Sequence, residues 1–213
     1  MKGLTVFMAA TSIGIAVSCS RGALPSHGDR RAAGPAFNTG LHAELIRVAA
    51  EDQVGREDLA NAAARNDTAI IFRFLREDSA HTRRLKEIVA SYGWPTAQLV
   101  GKDGVRAAWL ILQHSPDNAW QEAMLPTLER AALAGDISRA DVSTLTDRVL
   151  VHNGKPQRYG NSFSIRNGRL VPDPIEDIEG LDARRAALGL LPMREYVQKM
   201  SEAYNMPVDW PPR

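Results

Sequence analysis

The chain has 213 residues, 44% of them hydrophobic and 24% charged, with a formal net charge of +1. That is enough chain for one domain with a real core, and no repeat or low-complexity block interrupts it. So even a charge balance excludes a nucleic-acid binder that relies on a broad basic field, and pairs such as Arg83-Arg84 and Arg184-Arg185 read as solvated helix faces.

The N-terminus reads as a secretory signal. Met1-Lys2 is a short positive start, and the apolar run 4–17 is too short for a comfortable transmembrane helix. The run ends at Ala16-Val17-Ser18-Cys19, and Cys19 is the only cysteine. This ending resembles a bacterial lipobox, with Ala16 where Leu is usual; ordinary signal-peptidase cleavage is the alternative. The lipobox reading implies a membrane anchor through a lipid on Cys19. Ser20 after it implies the periplasmic side of the outer membrane. Residues 20–40 are rich in Gly, Pro and small polar residues and read as a flexible linker. The globular domain is then 41–206, followed by a proline-rich, extended tail at 207–213.

Within the domain, 41–65 is the first predicted helix. At about 100° per residue, Leu45, Asp52, Arg56, Leu59 and Ala63 share one stripe. Asp52 and Arg56 interrupt its apolar character as i,i+4 partners of opposite sign, either an internal ion pair or the lining of a polar cleft. Residues 67–77 continue helically. Residues 78–91 read as a separate helix, capped by Ser79, with Leu85, Ile88 and Val89 inward and His81 at the surface. Gly93 and Pro95 stop it, and Trp94 either plugs the core or walls a cleft.

A Gly-rich loop with Gly101 and Gly104 leads into a helix at 105–115 that is apolar on nearly every side and therefore interior. Gln113 and His114 are carried to the edge of that interior, where buried polar groups require partners. Asp117 or Asn118 caps a helix to Ala134, with a kink or break expected at Pro126. Ser138 opens another to Leu150, with Val142, Leu145 and Val149 inward and Asp147-Arg148 off that stripe. Asn167-Gly168 between 159–166 and 169–171 is a strong hairpin signal. Helices at 181–190 and from Pro192 to Ala203 complete a mainly α, single-domain fold with one β-hairpin near its C-terminal third.

No HExxH, GxxxxGK, GxSxG or CxxC motif is present. Histidines 27, 42, 81, 114 and 152 are not at metal-ligand spacing, so neither metal nor cofactor is expected. What remains is a dispersed polar set. His114 is the best acid–base candidate because histidine titrates near neutral pH. Asp52 or Asp147 would orient it and Arg56 or Arg148 would hold substrate charge, with Gln53, Trp94, Gln113, Gln157 and Tyr159 as further binding candidates. That inventory suits acid–base hydrolysis or recognition of a polar ligand. The plain alternative for His114 is a core histidine bonded to a backbone carbonyl.

Several short motifs occur in a fixed order: Asp52-Gln53-Val54-Gly55-Arg56, Tyr92-Gly93-Trp94-Pro95-Thr96, Gln113-His114, Asp147-Arg148, Gln157-Arg158-Tyr159-Gly160 and Pro174-Ile175-Glu176-Asp177 with Arg184-Arg185. As an ordered set over about 41–196 they resemble the bacterial family known as domain of unknown function 6624. The resemblance implies that these polar residues are the family's hallmark, as a site or as a structural network, and it implies no activity. The chain departs from the pattern at Asn161-Ser162, where Thr-Gln is common, so the contact of that glutamine does not carry over. The expected function is an extracytoplasmic, lipid-anchored hydrolase acting on an envelope glycan or peptide. The alternative is a non-catalytic binding or scaffold lipoprotein with a glycan, peptide or protein ligand.

Overall fold

The computed structural model describes residues 36–56 and 67–211. The expected signal, Cys19, most of the linker, and Leu59 and Ala63 of the first helix lie outside the described residues. Among those described, the chain forms seven helices and one two-stranded hairpin. It is mainly helical, with the hairpin in the C-terminal part.

Helix α1 (Thr39–Gln53) starts where the Asn38 side chain accepts a hydrogen bond from the Leu41 N–H. Leu41, Leu45, Val48, Ala49 and Asp52 form its buried stripe. The helix ends earlier than the periodicity suggests. Val54 turns extended and Gly55 adopts φ 73°, a left-handed conformation that favours glycine, so Arg56 follows a turn.

Helix α2 (Thr68–Tyr92) is one element where the sequence suggested two. Asp67 caps it, and Gly93 ends it with an N–H bonded to the Val89 carbonyl. No breaker separates its halves. Ser79, expected as a cap, instead donates its hydroxyl to the Leu75 carbonyl one turn back.

Helix α3 (Ala97–Gln113) is capped by Thr96 and absorbs the stretch expected as a loop. Its two glycines have separate uses. Gly101 (φ 74°, ψ 165°) makes a kink, and a Cβ on Gly104 would come 2.8 Å from the Val100 Cβ.

Helix α4 (Asn118–Ala134), capped by Asp117, runs on through Pro126 and ends at left-handed Gly135. Of the kink or break expected at Pro126, the break does not occur. Burial of Met124 and Leu128 on either side of the proline supports the helix across the lost backbone bond. Helix α5 (Arg139–His152) is capped by Ser138 as expected.

Strands β1 (Phe163–Arg166) and β2 (Arg169–Pro172) pair antiparallel from Phe163↔Pro172 to Arg166↔Arg169. Asn167 and Gly168 both have positive φ, the turn that a two-residue hairpin loop needs. The tail is drawn onto this hairpin: the Leu170 N–H donates to the Pro207 carbonyl and the Asp209 N–H to the Leu170 carbonyl. Helix α6 (Leu181–Ala187) and helix α7 (Met193–Tyr204) follow.

Two apolar clusters result. The larger joins α1 to α5 around Leu45, Leu85, Val100, Trp109, Leu112, Leu128 and Leu145. The smaller packs the hairpin on α6 and α7 through Phe163, Leu170, Leu181, Met193 and Met200.

Candidate functional site: a shared carboxylate between two histidines

The end of α1, the middle of α2 and the C-terminus of α3 bring charged side chains together. Asp52 closes the inward stripe of α1 and is 3% exposed. Its Oδ2 lies 2.6 Å from His114 Nδ1 and accepts a second bond, of 2.7 Å, from the Gln53 amide. Its Oδ1 accepts from Arg56 Nη2 at 2.6 Å. Arg56 also donates Nε to the Asp52 carbonyl at 2.8 Å, Nη1 to Asp78 Oδ2 at 3.2 Å and Nη2 to Asp78 Oδ1. The guanidinium thus bridges two buried carboxylates, with the Phe74 ring 5.3 Å from its carbon.

Burial pushes the Asp52 carboxyl up, but the hydrogen bond and charge of His114, together with Arg56, outweigh it and hold the group below the usual carboxylate range. Burial pushes Asp78 up, and Arg56 only partly offsets this because Asp52 repels the second negative charge. For His114, burial lowers the pKa; Asp52 opposes this, while Arg56 and Arg148 reinforce it, and the net direction is downward. A neutral imidazole beside an ionised carboxylate must carry its proton on Nδ1, since the carboxylate can only accept. Nε2 is then left with a lone pair, which makes it a base.

His81 stands on the other side of the same carboxylate. Its Nδ1 is 3.8 Å from Asp52 Oδ1, and that buried nitrogen has no hydrogen-bond partner among the described residues. His81 also lines a groove of about 360 Å³ together with Glu51, Val54, Arg73 and Glu77. Ligand atoms of Asp52, Asp78 and His81 lie within 4.8 Å of one another, a spacing compatible with a metal ion. Arg56, however, already bridges both carboxylates, where a divalent ion would need to bind. The fit to a metal is therefore poor.

A model of the family of unknown function DUF6624 matches residues 39–209. The chain belongs to that family. No curated protein and no solved structure matches it.

In this DUF6624 domain the other candidates divide. Asp147, proposed to orient His114, does not do so. Its Oδ1 accepts from the backbone N–H groups of Arg158 (2.8 Å) and Tyr159 (3.0 Å), and its Oδ2 from that of Asn161 (2.9 Å). Burial pushes its carboxyl up to about 6 against the pull of these donors. Gln157 is likewise committed to backbone: its amide nitrogen donates to the Ser162 and Asp173 carbonyls and its oxygen accepts from the Ser162 N–H. Tyr159 enters through its main chain, the N–H on Asp147 and the carbonyl accepting from Arg185.

Arg148 bonds the Gln113 carbonyl at 2.7 Å, and burial lowers its pKa to about 10, with Arg56 adding to the effect. The Gln113 carbonyl, one residue before His114, places Arg148 beside the first cluster. Gln113 is fully buried, and its side-chain nitrogen and oxygen meet no partner among the described residues. Trp94 belongs to the large apolar core. Arg56 uses its donors on Asp52 and Asp78, so it holds the carboxylates together rather than presenting charge to a substrate.

Asp78 and His81 were missed because the helix was divided at Asp78. Read as one helix, α2 has an inward stripe of Phe74, Asp78, Thr82, Leu85 and Ile88, with His81 beside it. A carboxylate at that position was the available signal.

Proposed function

We propose that this domain is a hydrolase in which His114 is the general base and Asp52 its orienting carboxylate. The observation that carries the reading is the 2.6 Å contact between Asp52 Oδ2 and His114 Nδ1 in a buried setting, where burial holds the His114 pKa down and His114 and Arg56 hold that of Asp52 down. His114 Nε2 takes a proton from water as its oxygen attacks the electrophilic carbon. The resulting imidazolium, stabilised by Asp52, returns that proton to the leaving group. Water is the nucleophile in this reading, and Cys19 is the only thiol in the sequence.

The lipobox-like segment ending at Cys19 supports an extracytoplasmic, lipid-anchored placement, on the periplasmic side of the outer membrane, with envelope glycan or peptide as the substrate class. No described helix is long and apolar enough to cross a membrane. The test is release of soluble fragments from purified cell-wall sacculi by the full-length protein. His114→Gln should lower release by at least about 100-fold without moving the melting temperature. Equal release by the variant would remove His114 from the chemistry.

The second reading, a binding or scaffold lipoprotein, is favoured by the Asp147–Gln157 cluster, whose side chains serve the backbone. Under it, wild-type protein binds sacculi and releases nothing.

A further inference from the structure

We infer that His81 is a second acid–base group of the same site, and that the groove it lines is where substrate meets that site; this rests on the hydrolase reading above. Three observations converge on it. Both histidines turn Nδ1 towards one carboxylate, His114 to Oδ2 at 2.6 Å and His81 to Oδ1 at 3.8 Å. The contacts are unequal: His114 is hydrogen-bonded, whereas His81 Nδ1 is buried and has no hydrogen-bond partner among the described residues. Finally, the groove is lined by His81 and not by His114, whose side chain is 10% exposed against 16% for His81.

In the reading above one imidazole takes the proton from water and returns it to the leaving group, and a second imidazole on the same carboxylate can take over the second of these transfers. A single carboxylate faces both imidazoles, His114 through Oδ2 and His81 through Oδ1, so both stand at one site. His114, enclosed and hydrogen-bonded, is the oriented member. His81, which lines the groove, is the member placed to meet the leaving group, and His114 remains the base that acts on water. Arg56 and Asp78 are positioning residues: they fix Asp52 Oδ1 opposite His81.

The test uses the full-length protein and diethyl pyrocarbonate, whose carbonyl carbon is attacked by an accessible neutral imidazole nitrogen with departure of ethyl carbonate. Peptide mapping should show His81 acylated faster than His114, since His81 lines the groove and His114 does not. Equal rates, or His114 reacting first, would overturn the placement of the groove. On sacculi, His81→Ala should lose most activity with an unchanged melting temperature, and added imidazole should restore it by entering the vacated groove. His114→Ala, behind that groove, should not be rescued. Full activity in His81→Ala would overturn the inference. If wild-type protein releases nothing from sacculi, the hydrolase reading fails by itself, and the acylation rates still decide whether His81 is the exposed partner.

Discussion

The domain carries two buried polar clusters built on opposite plans. In the first, side chains meet side chains: Asp52, Arg56, Asp78 and His114 bond one another across three segments, and His81 stands beside them unbonded. In the second, side chains meet backbone. Asp147 and Gln157 take up amides and carbonyls between Gln157 and Asp173, and Arg185 donates to the carbonyls of Leu191 and Tyr159. Gly160 completes this second arrangement with φ 74°, where a Cβ would come 2.9 Å from the Met193 sulfur. A cluster spent on backbone fixes a chain path, here that of the segment joining α5 to the hairpin. A cluster of titratable side chains, one of which lines a groove, retains capacity for proton transfer.

The largest loss of stability is expected at Asp147. Asp147→Ala leaves three backbone N–H groups buried without an acceptor and should cost about 3–5 kcal/mol, read by denaturant unfolding. A loss below about 1 kcal/mol would mean that the carboxylate is not what holds the 158–161 segment. Asp78→Ala should cost less, about 2 kcal/mol, because Arg56 keeps Asp52 and some solvent access.

His114→Gln should change stability at pH 7.5 by less than about 1 kcal/mol while abolishing hydrolysis. Its mark is in the pH dependence. The folded-state pKa of His114 lies below 6.5, so its contribution is complete above pH 6.5 and is lost as pH falls. Asp147 has the opposite sign: with its carboxyl pushed up to about 6 from 3.8, its contribution is present below 3.8 and lost as pH rises through 6. Melting temperatures from pH 4 to 7.5 should therefore show a shallower acid-side decline for His114→Gln than for wild type. Asp147→Asn should steepen that decline. The smallest effect is expected at Gln53→Ala, within about 0.5 kcal/mol, since Gln53 is exposed and makes one bond to Asp52.

Much of the fold was legible from local chemistry. The Asp117 and Ser138 caps, the stop at Gly93, the all-apolar face of α3 and the Asn167-Gly168 turn each depend on neighbours within a few residues, and all occur where periodicity and turn rules place them. The stripe that puts Asp52 on the buried side of α1 was equally readable, as was its pairing with Arg56 at i,i+4. Partner choice across the fold was not. Asp52 reaches His114 over 62 positions and Arg56 reaches Asp78 over 22, and no local rule distinguishes Asp52 from Asp147 as the partner of His114. Tertiary packing made that choice by placing the end of α1 against α3 and filling Asp147 with backbone amides. Periodicity can report that a charge faces inward, but the group that meets it there is set by how the helices pack.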